Sequence, residues 1–144
     1  YWSNNLLPRI PDTIHFLTNL SDLDMDNNLI EGLPDEFGLL IKLETLKIRN
    51  NRLCNLPESI GALTKLVTFY ANHNSIAVLP CRFGEMCNLI DLRLQSNLLE
   101  SVPSSFTQMQ MVTQLLMQDN KLSSIPEPVC SMSAVEFANF ARNE

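Results

Sequence analysis

Three aspartates at alternate positions (Asp22, Asp24, Asp26), two histidines (His15, His73) and four cysteines (Cys54, Cys81, Cys87, Cys130) are the side chains best suited to chemistry. On an extended strand Asp22 and Asp24 would project from one face roughly 6.5–7 Å apart, a separation that suits a pair of carboxylates flanking a hydrolysable bond. A histidine pair could move protons near neutral pH, and cysteines could act as nucleophiles, metal ligands or disulfide partners. Spacing withdraws most of these options. No two cysteines stand as C-x-x-C and no metal-ligand spacing occurs, so no metal and no cofactor are implied. Neither a phosphate-cradling glycine loop nor a serine elbow is present.

What positions these residues is a repeat. Asparagine returns every 23 residues without insertion, as Asn5, Asn28, Asn51, Asn74, Asn97, Asn120 and Asn143. With the asparagine numbered nine in a 23-residue frame, apolar residues fill fixed columns. Position four runs Leu23, Leu46, Phe69, Leu92, Leu115, Ala138, and position six runs Trp2, Met25, Ile48, Ala71, Leu94, Met117, Phe140. Position eleven begins at Leu7, position fourteen runs from Ile10 to Ile125, and position twenty-one from Leu17 to Met132. A period of this size is the mark of a solenoid. The frame also separates the two histidines, with His73 on the rim of one face and His15 on the opposite side of another coil. Asp22 and Asp24 lie on an open face beside a basic neighbour, which does not suit hydrolysis. The expectation is a chain without catalytic activity.

The motif L-x-x-L-x-L-x-x-N-x-L is carried by Leu43–Leu53, with Ile48 as its third apolar residue, and by Leu89–Leu99. The tail L-P-x-x-[FI]-G-x-[LM] recurs as Leu33–Leu40, Leu56–Leu63 and Leu79–Met86. On these residues the chain resembles the leucine-rich repeat family along essentially its whole length. The 23-residue form is similar to the cytosolic subclass of Scribble-type scaffolds, Ras-pathway scaffolds and plant intracellular Ras-group proteins. Departures gather late in the chain. Thr107 and Cys130 replace the glycine of position nineteen, Pro128 is an extra proline, and Ala138 underfills position four, so looser packing is expected there.

The resemblance and the pattern together imply an α/β right-handed solenoid, or horseshoe, with a parallel sheet on its concave side and short 3₁₀ or α turns on its convex side. One apolar residue between two exposed ones, as in Thr45-Leu46-Lys47, reads as a half-buried strand. A single coil cannot bury its apolar side, so coils must stack. The asparagine amides are expected to point inward and satisfy backbone groups that have left the sheet. Each proline after position fourteen should open the return turn at its first position. Phe37, Phe83 and Phe106 share a column and are expected to stack, while Gly38, Gly61 and Gly84 are expected to serve turns.

The 144 residues read as one array of about six coils, starting and stopping mid-repeat without a polar cap at either end. An uncapped array of this kind is expected to be part of a longer one and to associate end to end. The cysteines fall at different offsets, and only Cys81 and Cys87 share a coil as a plausible pair. Free thiols and the lack of cysteine-clustered caps point to a cytoplasmic location. The net charge of −6, with signs interspersed, opposes nucleic acid and anionic membrane as partners.

Function then rests on the concave face, where positions three, five, seven and eight are expected to be exposed. Asp24 should pair with Lys47 and Asp26 with Arg49. Tyr70 lies between Lys47 and Arg93, open to a cation–π contact from either neighbour. Aromatic and arginine side chains anchor interfaces most often. The candidate protein-binding patch is therefore Lys47, Arg49, Tyr70, Asn72, His73, Arg93 and Gln95, extended by Leu116. The family resemblance implies a small GTPase or a phosphatase subunit as partner and a scaffolding or regulatory role in intracellular signalling. The alternative is a recognition arm beside a kinase, cyclase, GTPase or ubiquitin-ligase domain.

Overall fold

The computed structural model describes all 144 residues. Six three-residue strands, β1 (Asp22–Asp24), β2 (Thr45–Lys47), β3 (Thr68–Tyr70), β4 (Asp91–Arg93), β5 (Gln114–Leu116) and β6 (Phe137–Asn139), form one open sheet in chain order. Every neighbouring pair is parallel, and the register joins equal positions of the repeat, such as Leu46 to Phe69 and Lys47 to Tyr70. The columns read from the sequence are therefore rows across the sheet. The central residue of β1 to β5 is buried and its neighbours are not, because alternate side chains leave a strand on opposite faces.

Return segments on the convex side are 3₁₀ turns at Asp12–Phe16, Asp35–Leu39, Glu58–Ala62, Phe83–Glu85 and Ser104–Gln108, and one α turn, α1, at Glu127–Cys130. Proline stands one place earlier than expected. Pro11, Pro34, Pro57, Pro103 and Pro126 are extended residues with φ between −69° and −62° that precede the turn instead of forming its first position. The fixed φ of proline suits this extended entry equally well.

Between strands and turns lies one apolar core of 34 buried residues. It frays at both ends: Trp2, Leu7, Leu17 and Ile125, all expected inside, are exposed, because no coil packs over them. The aromatic spine also differs from expectation. Phe83 stacks on Phe106 with centroids 5.6 Å apart, but its other aromatic neighbour is Phe69 of β3 at 5.7 Å. Ile60 occupies the column between Phe37 and Phe83, so those two rings do not stack.

The asparagines clamp coil to coil. The Asn97 amide nitrogen donates to the Leu94 and Gln95 carbonyls of its own coil and to Ala71 of the coil before, while its Oδ1 accepts the Ile76 N–H at 3.0 Å. Asn28, Asn51, Asn74 and Asn120 repeat this pattern. Asn143 keeps the bonds to Met117, Phe140 and Leu122. Asn5, with no coil before it, is exposed and bonds only to Trp2 and Ser3.

Position-nineteen glycines have another use than the one expected. None has a positive φ, so no turn demands them. A Cβ at Gly38, Gly61 or Gly84 would stand 2.2, 2.3 or 1.8 Å from the backbone oxygen of Ser59, Arg82 or Ser105 in the next coil. Close backbone approach is what requires glycine here.

Candidate protein-binding face

The outward rows of the sheet place Arg49, Tyr70 and Arg93 together. The Arg93 guanidinium lies 4.2 Å from the Tyr70 ring centroid and that of Arg49 lies 5.5 Å away, so the ring sits between two cations. The sequence suggested Lys47 and Arg93 as the flanking pair; Arg49 takes the place of Lys47. Asp91, which the sequence reading left out of the patch, is the residue that locks it. Its Oδ2 accepts the Tyr70 hydroxyl at 2.6 Å and the Arg93 Nη2–H at 2.9 Å, and its Oδ1 accepts Arg93 Nε–H at 3.1 Å. The signal was present: Asp91-Leu92-Arg93 is one strand, so residues two apart share a face.

Burial and the Asp91 hydrogen bond raise the Tyr70 hydroxyl above its ordinary pKa. Charge-assisted bonding to Asp91 likewise raises Arg93, and bonding to Asp26 raises Arg49. The expected Asp26–Arg49 pair forms, with Nε donating to Oδ2 at 2.6 Å, but it is no exposed surface pair. Asp26 is buried, and its Oδ1 also accepts the Arg49 backbone N–H at 2.6 Å. The expected Asp24–Lys47 pair is absent; Asp24 instead accepts the Asp26 N–H at 3.1 Å.

Other members of the patch fall elsewhere. Asn72 is buried, and its Oδ1, like the Oε1 atoms of Gln95 and Gln118 at the same position, is enclosed without a hydrogen-bond partner. Position seven therefore faces partly inward, which removes Asn72 as an open contact. His73 is exposed but sits on the rim, in a left-handed turn with φ 55°. All seven residues of position eight share that conformation, with φ between 51° and 58°. Lys47, Gln95 and Leu116 are half-buried on the face. All four cysteines are free and exposed, so the Cys81–Cys87 pairing does not form. Asp22 and Asp24 stay on the open sheet without an acid or base partner arranged against them.

Residues 10–136 match the family model described as a leucine-rich repeat region, and the chain belongs to the leucine-rich repeat family. No curated protein matches it significantly. Among solved structures, a leucine-rich repeat protein of Leptospira interrogans is 27% identical with a TM-score of 0.85, over 96% of this chain and 41% of that one. The plant peptide hormone receptor RGFR1 in complex with RGF2 is 28% identical with a TM-score of 0.83, over 94% of this chain and 23% of that one. The ectodomain of the Arabidopsis thaliana membrane receptor kinase GASSHO1/SCHENGEN3, in complex with CASPARIAN STRIP INTEGRITY FACTOR 2, is 27% identical with a TM-score of 0.80, over 88% of this chain and 16% of that one. This chain thus spans less than half of each. The fold is the leucine-rich repeat horseshoe, and the chain is a module for protein interaction in the general sense of its family.

Proposed function

We propose that this array binds a protein partner on its concave face, without catalysis of its own, as a cytoplasmic scaffold or regulator in intracellular signalling. The observation that carries the reading is the Arg49–Tyr70–Arg93 cluster: one aromatic and two arginines, fixed on a rigid sheet by Asp26 and Asp91 and open to solvent on one side. Side chains held in place before contact lose little freedom on binding, and these types dominate interface energetics. Two structural relatives are receptors in complex with a ligand, one of them a peptide hormone receptor, which supports the general mode. The cytoplasmic assignment rests on the four exposed free thiols. By resemblance, a small GTPase or a phosphatase subunit is the first candidate partner.

The test is affinity for purified candidates of these two classes. The Tyr70→Ala/Arg93→Ala double variant should lose about 2 kcal/mol or more of binding to the true partner while its melting curve stays close to the parent. Unchanged affinity moves the site off this cluster. A second reading, a recognition arm of a larger enzyme such as a kinase, cyclase or ubiquitin ligase, is favoured by the receptor-kinase ectodomain, of which this chain covers only a small part. The apolar edges at Trp2, Leu7 and Ile125 also suit end-to-end association, which sedimentation at rising concentration would reveal as species heavier than one chain.

A further inference from the structure

The convex side carries an apolar stripe that the coil does not require. Phe16 and Leu39 hold position twenty of the first two return turns and Ile41 holds position twenty-two; each is more than half exposed. Later coils place Glu85, Gln108 and Ser131 at position twenty and Cys87, Gln110 and Ser133 at twenty-two, on the same solenoid. The open end does not account for the stripe either, since Leu39 and Ile41 belong to a coil with a neighbour on each side. Exposed apolar side chains grouped in this way mark an interaction surface. Its flanks carry opposite charge. Position sixteen runs Asp12, Asp35, Glu58, and position twenty-three runs Asn19, Lys42, Lys65. Lys42 Nζ donates to Asn19 Oδ1 of the coil before at 2.7 Å, so position twenty-three is a row across the coils like the others. Glu58 accepts the backbone N–H groups of Cys81 and Arg82, but none of these acids or lysines belongs to an ion pair. Glu36 adds to the acidic flank, and Glu44 lies past the lysines, toward β2.

We propose that this stripe pairs with the same stripe of a second copy of the chain, in a closed dimer whose two-fold axis runs along the stack of coils. An isologous contact puts one patch against itself, so the patch must be complementary to its own rotated image. Turning a copy about that axis exchanges the two flanks and keeps each coil at its own level. Position twenty then meets position twenty, so Phe16 and Leu39 pack on their own equivalents. Position sixteen meets twenty-three, so Asp35 faces Lys42 of the second copy and Glu58 faces its Lys65, each contact occurring twice. Asp12 faces the neutral Asn19. With the axis laid across the coils instead, Asp35 would face Asp35 and Lys42 would face Lys42, and like charges reject that arrangement. Two convex surfaces touch over few coils, and the stripe ends where Glu85 takes position twenty in the fourth. Both concave sheets stay outward and unobstructed. The dimer does not rest on anything binding there.

The experiment is sedimentation equilibrium of the 144-residue chain over a rising concentration series. The mean mass should climb and level off at two chains. End-to-end association through the Trp2 and Ile125 edges is heterologous and has no such limit. Leu39→Glu should leave a monomer over the same range with an unchanged melting curve, because Glu85 already occupies that position in the fourth coil. Asp35→Lys and Lys42→Glu should each weaken the dimer about tenfold, since each reverses a contact that the symmetry makes twice. An equimolar mixture of those two variants should dimerise as the parent does, because every flank then meets its opposite charge. A parent that stays monomeric, growth beyond two chains that Leu39→Glu leaves unchanged, or a mixture no stronger than its separate components overturns the proposal. Tyr70→Ala/Arg93→Ala should dimerise like the parent, which keeps this result separate from the affinity of the concave face for a partner. Loss of the dimer in that variant would put the contact on the concave sheet and overturn the convex pairing.

Discussion

Across β1 to β4 the return turns approach one another through glycine; beyond β4 they do not. Gly38, Gly61 and Gly84 let the carbonyl of the next coil come to within a distance no Cβ tolerates, and the residues packed beside them, Phe37, Ile60 and Phe83, have no accessible surface. In the later coils Thr107 and Cys130 hold the same position and are exposed, and the last return changes from 3₁₀ to the α turn α1, while Phe106 beside Thr107 stays as fully buried as Phe83. One sequence rule thus yields two ways for the convex turns to meet, over a core that stays closed through Phe106 and Met117. The apolar columns stack the coils, but the absence of a single side chain sets how closely the convex sides meet.

The sharpest way to break this comparison is to put a methyl group where the backbone passes. Gly84→Ala should destabilise by about 3 kcal/mol, because its Cβ would meet the Ser105 carbonyl oxygen and the coils must part. Thr107→Ala, at the same position where an exposed side chain is already accommodated, should stay within about 0.5 kcal/mol. Urea unfolding of the two variants checks the contrast, and similar losses would mean that glycine is not what separates the regions.

The asparagine row allows a second contrast, between the clamped interior and the free edge. Asn74→Ala removes bonds to three carbonyls and strands the Leu53 N–H, at a cost of about 1–3 kcal/mol. Asn5→Ala, whose amide is exposed and bonds only locally, should change stability by about 0.5 kcal/mol or less. Equal melting temperatures for Asn74→Ala and the parent would remove the clamp from the account.

The fold was legible because its determinants are columns of one residue type: leucine, asparagine and proline recur at fixed spacing, and each has one dominant physical use. The face was legible only in part. Arg49, Tyr70 and Arg93 were found by reading across strands, but Asp91 was missed because it bonds to Arg93 along its own strand and only diagonally to Tyr70, where no equal positions face each other. Asn72 was misplaced because the inward turn of the chain begins at position seven, before the invariant asparagine announces it. Position eight carries Asn, His, Ser, Asp and Arg, so composition hid a conformation that all seven residues share. Only the run Asn4, Asn27, Asn50 hinted at it, since asparagine enters the left-handed region more readily than most residues.

That hidden conformation gives a smaller test between the early coils and the later ones. Asn27 and Asn50 occupy the left-handed turn comfortably, and each donates to the asparagine of the coil before, at 3.0 and 2.7 Å. Ser96 holds φ at 55° with neither advantage. Ser96→Asn should stabilise by about 0.5–1 kcal/mol through relief of backbone strain, and Asn50→Ser should lose at least as much. Calorimetric melting of both variants checks the pair of signs; a destabilising Ser96→Asn would show that the turn is set by its surroundings and not by residue preference.

The smallest effect expected is on pH, and it sharpens the difference between the locked Tyr70 at the centre of the face and a tyrosine without such a partner. Ionising Tyr70 takes its hydroxyl proton away from Asp91 and puts a phenolate in a half-buried site, so its pKa in the folded chain lies above the ordinary 10.0. The nearby arginines favour the phenolate, but burial and the Asp91 bond outweigh them. A group whose folded pKa exceeds its unfolded value binds more protons in the folded state between the two, and its stabilising contribution is present below the lower value and lost as pH rises through the higher one. The parent should therefore lose stability above about pH 10 in a way that Tyr70→Phe, which has no proton to lose there, does not. Urea midpoints of the two proteins across that range read the difference. If the midpoints of parent and Tyr70→Phe fall in parallel, the hydroxyl is not held by Asp91, and the rigid platform assumed for the central cluster is a looser one.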